Sequence, residues 1–261
     1  MNEQVSAPRL ELPPGFWRPQ PRPWAELGPR ANYLGRALVL EMCVRLAVHV
    51  PGSIIEFGVA TGGSTRVIKR ALRQYGSEWF SRHGRKQQFA LDSFEGLREP
   101  FENAPVGEFA GSVPRIGGVN FIKGYFEDTC TDDLRRRVGR VAFAHFDADL
   151  HSSTLFALRW LTPLLHNGSL LLFDEFTGGD MAEARAFKEW QQDAGLSLIR
   201  IGEFDRDPSG YGQVVDRRVL FQVVGSQAIE RRGRESLAWK VAYYCGRLNL
   251  KGLESRILAR L

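Results

Sequence analysis

The sequence predicts an α/β fold in which a mostly parallel sheet is covered by helices on both faces. Short apolar segments alternate along the chain with stretches of helical spacing, and this alternation is typical of parallel sheets. The apolar segments contain few polar residues, as expected for strands that are buried on both sides. Several of them end on acidic residues or glycine, so polar groups are expected to gather at one edge of the sheet.

The predicted elements follow one another in a regular order. Residues 31–50 carry apolar side chains at helical spacing, and Pro51 and Gly52 end that helix. Five strands are predicted next, over residues 53–58, 88–92, 120–124, 141–147 and 169–173. The helices between and after these strands are predicted over residues 67–75, 134–138, 154–165 and 181–194.

The last two predicted strands differ from the others because no convincing helix lies between them. They cover residues 197–203 and 218–225, and the connection over residues 205–216 contains the turn-forming sequence Pro-Ser-Gly. Such a connection is typical of two strands that pair with each other. We therefore expect an antiparallel C-terminal hairpin at the edge of the sheet.

The central domain is expected to span residues 31–228, with an appendage at each end. Residues 1–30 form an N-terminal arm, in which six prolines fall within the first 24 residues and preclude a regular element. Residues 229–261 are predicted to form a basic, amphipathic helical tail. The arm or the tail is a candidate contact for a homo-oligomer, and the tail is also a candidate site for a partner protein or an anionic membrane.

Composition and charge narrow the class of protein. The hydrophobic share is 43% and the charged share 25%, with a net charge of +5, which are ordinary values for a globular protein. The longest uncharged apolar run, residues 160–173, is too short for a membrane span, and the N-terminus lacks a signal-peptide pattern. The three cysteines are far apart, which favours reduced thiols. We therefore expect a cytoplasmic protein without a transmembrane segment, and no nucleic-acid partner because no RNA-binding motif is present.

A glycine-rich turn at residues 56–64, Glu-Phe-Gly-Val-Ala-Thr-Gly-Gly-Ser, connects the first strand to the next helix. A helix that begins after such a turn presents free backbone amides to a carboxylate or phosphate. A P-loop would need a lysine after the glycines, and a dinucleotide site would have Gly-x-Gly-x-x-Gly with an acid about 20 residues later. Neither pattern is present. No lysine directly follows the glycines, and the next candidate acid, Asp92, lies 29 residues after Gly63. The turn therefore favours a ligand with one carboxylate and a ribose, with a purely structural turn as the alternative.

Four segments together resemble the macrocin O-methyltransferase family of class I S-adenosylmethionine-dependent methyltransferases. They are residues 56–64, residues 91–97 (Leu-Asp-Ser-Phe-Glu-Gly-Leu), residues 123–129 (Lys-Gly-Tyr-Phe-Glu-Asp-Thr), and residues 146–154 (Phe-Asp-Ala-Asp-Leu-His-Ser-Ser-Thr) with residues 163–168 and 173–175. The segments follow the family's order between residues 34 and 190. The resemblance implies a Rossmann-like class I methyltransferase fold with seven strands. It also implies methyl transfer from S-adenosylmethionine to a hydroxyl of a sugar or a glycosylated small molecule.

The resemblance also assigns a cofactor site. Asp92, which ends the second predicted strand, is implied to bind the ribose with Ser93 beside it, and Phe126 with Glu127 is implied to border the adenine. The methionine end of the cofactor is assigned to the glycine-rich turn, namely to Glu56, Gly58, Val59, Ala60, Thr61, Gly62, Gly63 and Ser64.

The family's site also includes a magnesium ion, which carboxylates hold beside the methyl donor. Carried over to this chain, the candidate ligands are Asp147, Asp174 and Glu175. Mg²⁺ prefers oxygen ligands, and a bound divalent ion lowers the pKa of a hydroxyl. Glu175 stands where the family has Asp, and His151 stands where Tyr or Phe is usual, so the alternative is a metal-free site with Asp147 or His151 as the base. Asp149 is interpreted as structural, because it is out of phase with Asp147.

A long loop over residues 96–118 is rich in Gly and Pro and has no periodicity. Loops of this length in compact domains are usually functional or disordered. Because it begins directly after an acid-tipped strand, it is either a lid over the site or a disordered segment.

Two other functions remain open from the sequence. One is an NAD-dependent or nucleotide-sugar oxidoreductase on the same kind of sheet, against which the absence of Gly-x-Gly-x-x-Gly argues. The other is a degenerate methyltransferase fold that acts as a partner- or membrane-binding module through its basic tail. Affinity for the cofactor without turnover would favour this second alternative.

Overall fold

The computed structural model describes residues 29–76, 86–177, 181–205 and 217–226 of the chain. The helical tail predicted over residues 229–261 lies outside these ranges, as does the N-terminal arm except for its last two residues. The domain bounds and the oligomer contacts expected from the arm and the tail therefore stay predictions.

Six α-helices and seven strands make up the described part of the chain. The helices are α1 Pro29–Ala47, α2 Gly63–Tyr75, α3 Phe126–Thr129, α4 Asp132–Val138, α5 His151–Leu161 and α6 Ala182–Asp193. The strands are β1 Ser53–Phe57, β2 Gln88–Asp92, β3 Asn120–Lys123, β4 Val141–Phe146, β5 Leu170–Thr177, β6 Leu196–Asp205 and β7 Arg217–Ser226. A short 3₁₀ turn, Thr162–Leu164, follows α5. Among the described residues, no helix is long and apolar enough to span a bilayer.

The seven strands form one sheet in the order β3-β2-β1-β4-β5-β7-β6. The first five strands pair in parallel, whereas β7 runs antiparallel to both β5 and β6. The predicted seven-stranded, mostly parallel sheet with an antiparallel C-terminal hairpin is therefore confirmed. Only β6 of that hairpin lies at the edge, because β7 is inserted beside β5.

Helices cover both faces of the sheet, and the residues of each strand alternate between them. Ile54 packs with α1 and α2, and its neighbour Ile55 packs with α4, α5 and α6 on the opposite face. On this second face Phe57, Phe146 and Phe173 stack across three adjacent strands, with ring centroids 5.1 Å and 4.8 Å apart. This packing fixes the carboxyl ends of β1, β4 and β5 relative to one another, and the candidate site lies at this end of the sheet.

Lys86 is a half-buried lysine just before β2, at the amino ends of the parallel strands and thus opposite the cleft. Its ammonium group donates hydrogen bonds to the carbonyl oxygens of Val50 and Gly52. Burial lowers the pKa of Lys86 from its usual 10.5 to about 7.

The Lys86→Gln variant is expected to have a different dependence of stability on pH. Because the folded-state pKa of Lys86 is lowered, the unfolded chain binds more protons between about pH 7 and 10.5, and folding stability rises with pH across that interval. Gln keeps an N–H donor but does not titrate. The unfolding free energy of wild type should therefore rise relative to that of Lys86→Gln as the pH rises from 7 to 10. Urea unfolding at several pH values measures it, and parallel curves would contradict the assignment.

Candidate active site

A cleft of about 260 Å³ lies at the carboxyl ends of β1, β2 and β4. Ligands of open parallel sheets bind at this edge. Six of the predicted cofactor residues line it, namely Gly58, Val59, Ala60, Asp92, Ser93 and Phe126. The other lining residues are Arg36, Gly96, Leu97, Arg98, Phe109, Tyr125, Asp147, Ala148, Asp149, Leu150 and Ser153.

The turn after β1 depends on glycine at two positions. Gly58 has φ +90°, and a Cβ at this position would overlap the carbonyl oxygen of Asp147 at the end of β4. Gly62, with φ +79°, caps α2 without a side chain, so the first amides of that helix are left for a ligand. A Cβ on Gly62 would also lie 2.9 Å from Cγ of Pro114. The glycine spacing that the sequence shows therefore has a steric cause.

Asp92 ties the turn to the end of β2. One of its carboxylate oxygens accepts hydrogen bonds from the amides of Val59 (2.7 Å) and Ala60 (2.9 Å). The other oxygen accepts from the amide of Phe94 at 2.7 Å. An ionised carboxylate has about four acceptor positions, so this arrangement leaves one for a ligand hydroxyl.

The remaining predicted cofactor residues do not line the cleft. Thr61, Gly62, Gly63 and Ser64 form the rest of the turn and the first residues of α2. Glu127 pairs with Arg98, and the Arg98 guanidinium stacks on the ring of Tyr125 at 4.1 Å. These three side chains form the rim of the cleft beside Phe126.

Glu56 is fully buried behind the cleft. Its carboxylate accepts a hydrogen bond from the Thr65 hydroxyl at 2.5 Å and lies 3.1 Å from Nδ1 of His145. Glu56 therefore connects β1 with the first turn of α2 and with β4. Its predicted role in cofactor binding stays a prediction, and these contacts show that it positions the turn.

The loop over residues 96–118 is described throughout and lies against the glycine-rich turn. Its two arms are joined by hydrogen bonds between the backbones of Leu97 and Glu108 and of Leu97 and Gly107, each at 2.9 Å. At its end, Lys69 of α2 donates to the carbonyl oxygen of Gly118 at 2.6 Å. Of the two alternatives from the sequence, these contacts favour a lid, since the loop forms one wall of the cleft. A closing movement stays a prediction.

Asp147, which lines the cleft, and Asp174, which is fully buried, both contact a residue that the sequence analysis missed. Arg36 of α1 donates from Nη2 to Oδ2 of Asp147 (2.5 Å) and to Oδ2 of Asp174 (2.6 Å). Its Nε donates to Oδ1 of Asp174 at 3.0 Å. Arg218 of β7 donates from Nε to the same Oδ1 at 2.6 Å. The guanidinium of Arg36 therefore joins the two acids, and that of Arg218 contacts Asp174 alone.

Burial and the close contacts in this cluster shift the pKa values of Asp147, Asp174 and His145. Burial acts to raise the pKa of Asp174, but Arg36, His145 and Arg218 outweigh it and hold that pKa well below its usual range. Burial raises the pKa of Asp147, against the opposing effect of Arg36. Burial also opposes charge on His145, yet the carboxylates of Asp174 and Glu56 raise its pKa to about 9. His145 is therefore expected to be an imidazolium at neutral pH.

The predicted magnesium ligands do not fit a divalent ion in this arrangement. Both oxygens of Asp174 accept from guanidinium N–H groups, and Asp147 shares the same Arg36. Glu175 is not among the residues that line the cleft. Among the described residues, no group of three or more His, Cys, Asp or Glu is placed to hold a metal. The three-carboxylate site expected from the resemblance is thus not assembled, because Arg36 lies between two of its members.

Glu183 is a second buried residue that the sequence analysis missed. Its carboxyl oxygens accept hydrogen bonds from the amides of Ala148 (3.3 Å) and Glu175 (3.0 Å). It thereby joins the ends of β4 and β5 to the first turn of α6. Burial raises the pKa of Glu183 well above its usual range. The sequence signal was weak, because an acid in the first turn of a helix is ordinary.

His151, the second predicted catalytic residue, is oriented towards α6. Its Nε2 lies 3.3 Å from Oε2 of Glu189, and His151 does not line the cleft. Asp149, in contrast, does line the cleft, with φ +57°. Asp147 is therefore the better placed of the two predicted bases, and Asp149 is the neighbour to test against it.

The fold and the cleft define a class of protein when they are compared with known families. Residues 55–176 match the family described as a methyltransferase domain. The sheet in the order β3-β2-β1-β4-β5-β7-β6 superposes on solved methyltransferases of the class I fold with TM-scores above 0.5. The predicted class I methyltransferase fold is therefore confirmed. The matched domain favours a methyltransferase over the oxidoreductase alternative, and methyl transfer by this protein stays a prediction.

One relative in sequence is an O-methyltransferase. The chain is 28% identical over 179 residues to the 8-demethyl-8-(2,3-dimethoxy-α-L-rhamnosyl)-tetracenomycin-C 4′-O-methyltransferase of Streptomyces olivaceus. That match covers 59% of this chain and 65% of the relative, so it spans less than two thirds of the relative's length. The resemblance to O-methyltransferases stated from the four motifs is confirmed.

Solved structures agree with this fold. The calicheamicin methyltransferase CalS11 superposes with a TM-score of 0.54 at 20% identity, over 71% of this chain and 77% of that chain. The O-methyltransferase NovP gives a TM-score of 0.51 at 23% identity, over 74% of this chain and 81% of that chain. At this level of identity the two structures support the fold alone.

Proposed function

We propose that this protein is an S-adenosylmethionine-dependent O-methyltransferase that acts on a hydroxyl of a sugar or of a glycosylated small molecule. The observation that carries this proposal is the placement of Asp147 on the same cleft as the glycine-rich turn and Asp92. This arrangement puts a carboxylate base beside residues suited to an amino acid carboxylate and a ribose. The relative from Streptomyces olivaceus, which methylates a rhamnosyl group by its name, supports the acceptor class.

The residues of the cleft fit the cofactor in three respects. Gly58, without a Cβ, lets the backbone of Asp147 approach the turn closely, so that both line one cleft. The uncapped start of α2 offers amides to a carboxylate. Asp92 retains an acceptor position for a ribose hydroxyl, and Phe126 offers an apolar surface for the adenine. When bound, the cofactor supplies a methyl group that is already activated as a sulfonium.

Asp147 is proposed to act as the general base. As the acceptor oxygen forms its bond to the methyl carbon and the bond from that carbon to sulfur breaks, the hydroxyl proton passes to the carboxylate of Asp147. Burial raises the pKa of Asp147, which makes it a stronger base than an exposed aspartate. The rest of the cleft aligns the two reactants, an effect worth up to about 7–11 kcal/mol.

The acceptor side of the cleft combines apolar and polar groups. Leu97, Phe109 and Leu150 provide the apolar surface, and Phe109 is 54% exposed. Asp149 and Ser153 provide hydrogen-bonding groups. A hydroxylated ring with an apolar portion matches this lining better than a free sugar does.

The Asp92→Ala variant is expected to bind S-adenosylhomocysteine at least about tenfold more weakly, since a hydrogen bond to a charged group contributes about 1.5–3 kcal/mol. The variant loses the proposed ribose contact and also the carboxylate that holds the amides of Val59 and Ala60. Calorimetric titration measures the dissociation constant, with the exposed Asp133→Ala variant as the control. An unchanged constant would refute the ribose role.

Turnover is tested with radiolabelled S-adenosylmethionine and a panel of rhamnosylated and other glycosylated acceptors, each beside its aglycone. Methyl transfer to the glycoside but not to the aglycone is the expected result. Tight binding of S-adenosylhomocysteine without transfer to any hydroxylated acceptor would instead favour the degenerate, partner-binding fold. Mg²⁺ is not assigned a part in this reaction, because the residues around Arg36 do not fit it.

A further inference from the structure

Arg36 comes from α1, which lies outside the four motif segments, and its side chain reaches the floor of the cleft. Two of its nitrogen atoms, Nε and Nη2, donate to three carboxylate oxygen atoms, two on Asp174 and one on Asp147. Only 26% of the Arg36 side chain is exposed, and Asp174 is fully buried. This guanidinium therefore already supplies the positive charge between the two acids.

A divalent ion would compete with this guanidinium for the same oxygen atoms. Mg²⁺ needs direct contacts of about 2.0–2.1 Å to its ligand oxygens in near-octahedral geometry. Each oxygen of Asp174 instead accepts an N–H hydrogen bond, and Oδ1 accepts from both Arg36 and Arg218. Displacing Arg36 would leave its charge without a partner in a partly buried site, which is costly.

Further positive charge lies behind the two acids. The Arg218 side chain is 1% exposed and contacts Oδ1 of Asp174 at 2.6 Å. A divalent ion at Asp174 would lie within a few ångströms of this guanidinium, where like charges are screened very little. The electrostatics around Asp174 therefore favour a monovalent, hydrogen-bonding cation over a metal ion.

We infer that Arg36 takes the position that a divalent ion would hold between Asp147 and Asp174, so that this protein binds no Mg²⁺ there and Arg36 positions Asp147 instead. The exclusion of Mg²⁺ follows from the contacts of Arg36 and Arg218 and does not depend on the proposed function. The positioning role of Arg36 rests on the proposed methyl transfer, in which Asp147 is the base.

The first test uses Mn²⁺ as the probe, because its paramagnetism reports free and bound ion directly. Wild-type protein without cofactor or acceptor is titrated with Mn²⁺ and followed by electron paramagnetic resonance. We expect no bound Mn²⁺ below millimolar concentration. One Mn²⁺ bound per chain at micromolar affinity, and lost in Asp147→Asn, would overturn the inference. Because this titration requires no methyl transfer, its result is independent of the proposed function.

The second test removes the guanidinium. Arg36→Ala leaves Asp147 and Asp174 without the shared cation, so Mn²⁺ affinity is expected to increase at least about tenfold and to fall again in Arg36→Ala/Asp147→Asn. Arg136→Ala removes the same charge from an exposed position on α4 and should leave the affinity for Mn²⁺ unchanged. Mn²⁺ binding by Arg36→Ala no tighter than by wild type would overturn the inference. Arg36→Lys retains a positive charge and should exclude Mn²⁺ as wild type does.

The third test applies to turnover. Methyl transfer by wild type in EDTA is expected to stay within about twofold of transfer in Mg²⁺, whereas loss in EDTA with recovery in Mg²⁺ would overturn the inference. If no acceptor is methylated under either condition, the proposed function fails while the two Mn²⁺ titrations keep their meaning.

Discussion

Asp147→Asn is expected to lower kcat by about 10²–10⁴-fold, because the variant keeps the shape of the side chain but cannot accept the acceptor's proton. The affinity for S-adenosylhomocysteine should stay within about threefold, since Asp92 and the glycine-rich turn are unchanged. Asp147 lies at the floor of the cleft, and Oδ2 already accepts a hydrogen bond from Arg36. This bond fixes the carboxylate, so the loss is expected in kcat and not in cofactor binding. Single-turnover rates and calorimetry on the same preparation separate the two quantities.

Asp149→Asn is the matched comparison for this prediction. Asp149 lies on the same cleft two residues later, and Asn tolerates the positive φ of +57° about as well as Asp does. Asp133→Asn removes an equal charge at an exposed position of α4 that does not line the cleft. If Asp149→Asn abolishes turnover while Asp147→Asn retains it, the base is Asp149 and the assignment to Asp147 is wrong.

The parallel part of the fold could be predicted because its signals are local. Each strand of this part is a short apolar segment and each crossover helix has its own spacing, so the succession of elements and their parallel direction follow from the chain, whereas their order within the sheet was not predicted. The position of β7 between β5 and β6 could not be predicted in the same way. It depends on which partner a pair of antiparallel strands finds. The end of β5 also differs, since the strand continues to Thr177 and includes Asp174 and Glu175, which were expected beyond its end.

The residues of the candidate site that lie in a sequence motif were predicted. Those that neutralise the buried acids were missed. Asp92 and Gly58 lie in motif segments at strand ends, and both line the cleft. Arg36 on α1 and Arg218 on β7 are 182 positions apart in the chain, and no motif or spacing marks either residue. The one signal available was indirect. Buried acids gathered at strand ends need cations, and the sequence does not show which ones reach them.

Asp174→Ala is expected to destabilise the fold by about 3–5 kcal/mol, because it leaves buried cations without their shared counter-charge. Asp174 has no exposed side-chain surface, and it accepts hydrogen bonds from Arg36 and Arg218. His145, whose pKa is raised to about 9 partly by Asp174, would lose the same partner. Urea unfolding at pH 7 measures the loss, and Asp133→Ala, at an exposed position, should change the unfolding free energy by less than about 1 kcal/mol.

The same prediction has a second arm that distinguishes unpaired charge from a simple cavity. Replacing a buried ion pair by apolar residues is often neutral, whereas removing one partner is not. Adding Arg218→Met to Asp174→Ala should therefore recover about 1–3 kcal/mol, since only Arg36 and His145 then lack the carboxylate. A cavity would behave differently, because its cost would persist whatever residue occupies position 218. A double variant no more stable than Asp174→Ala would show that packing, and not charge balance, holds the ends of β5 and β7 together.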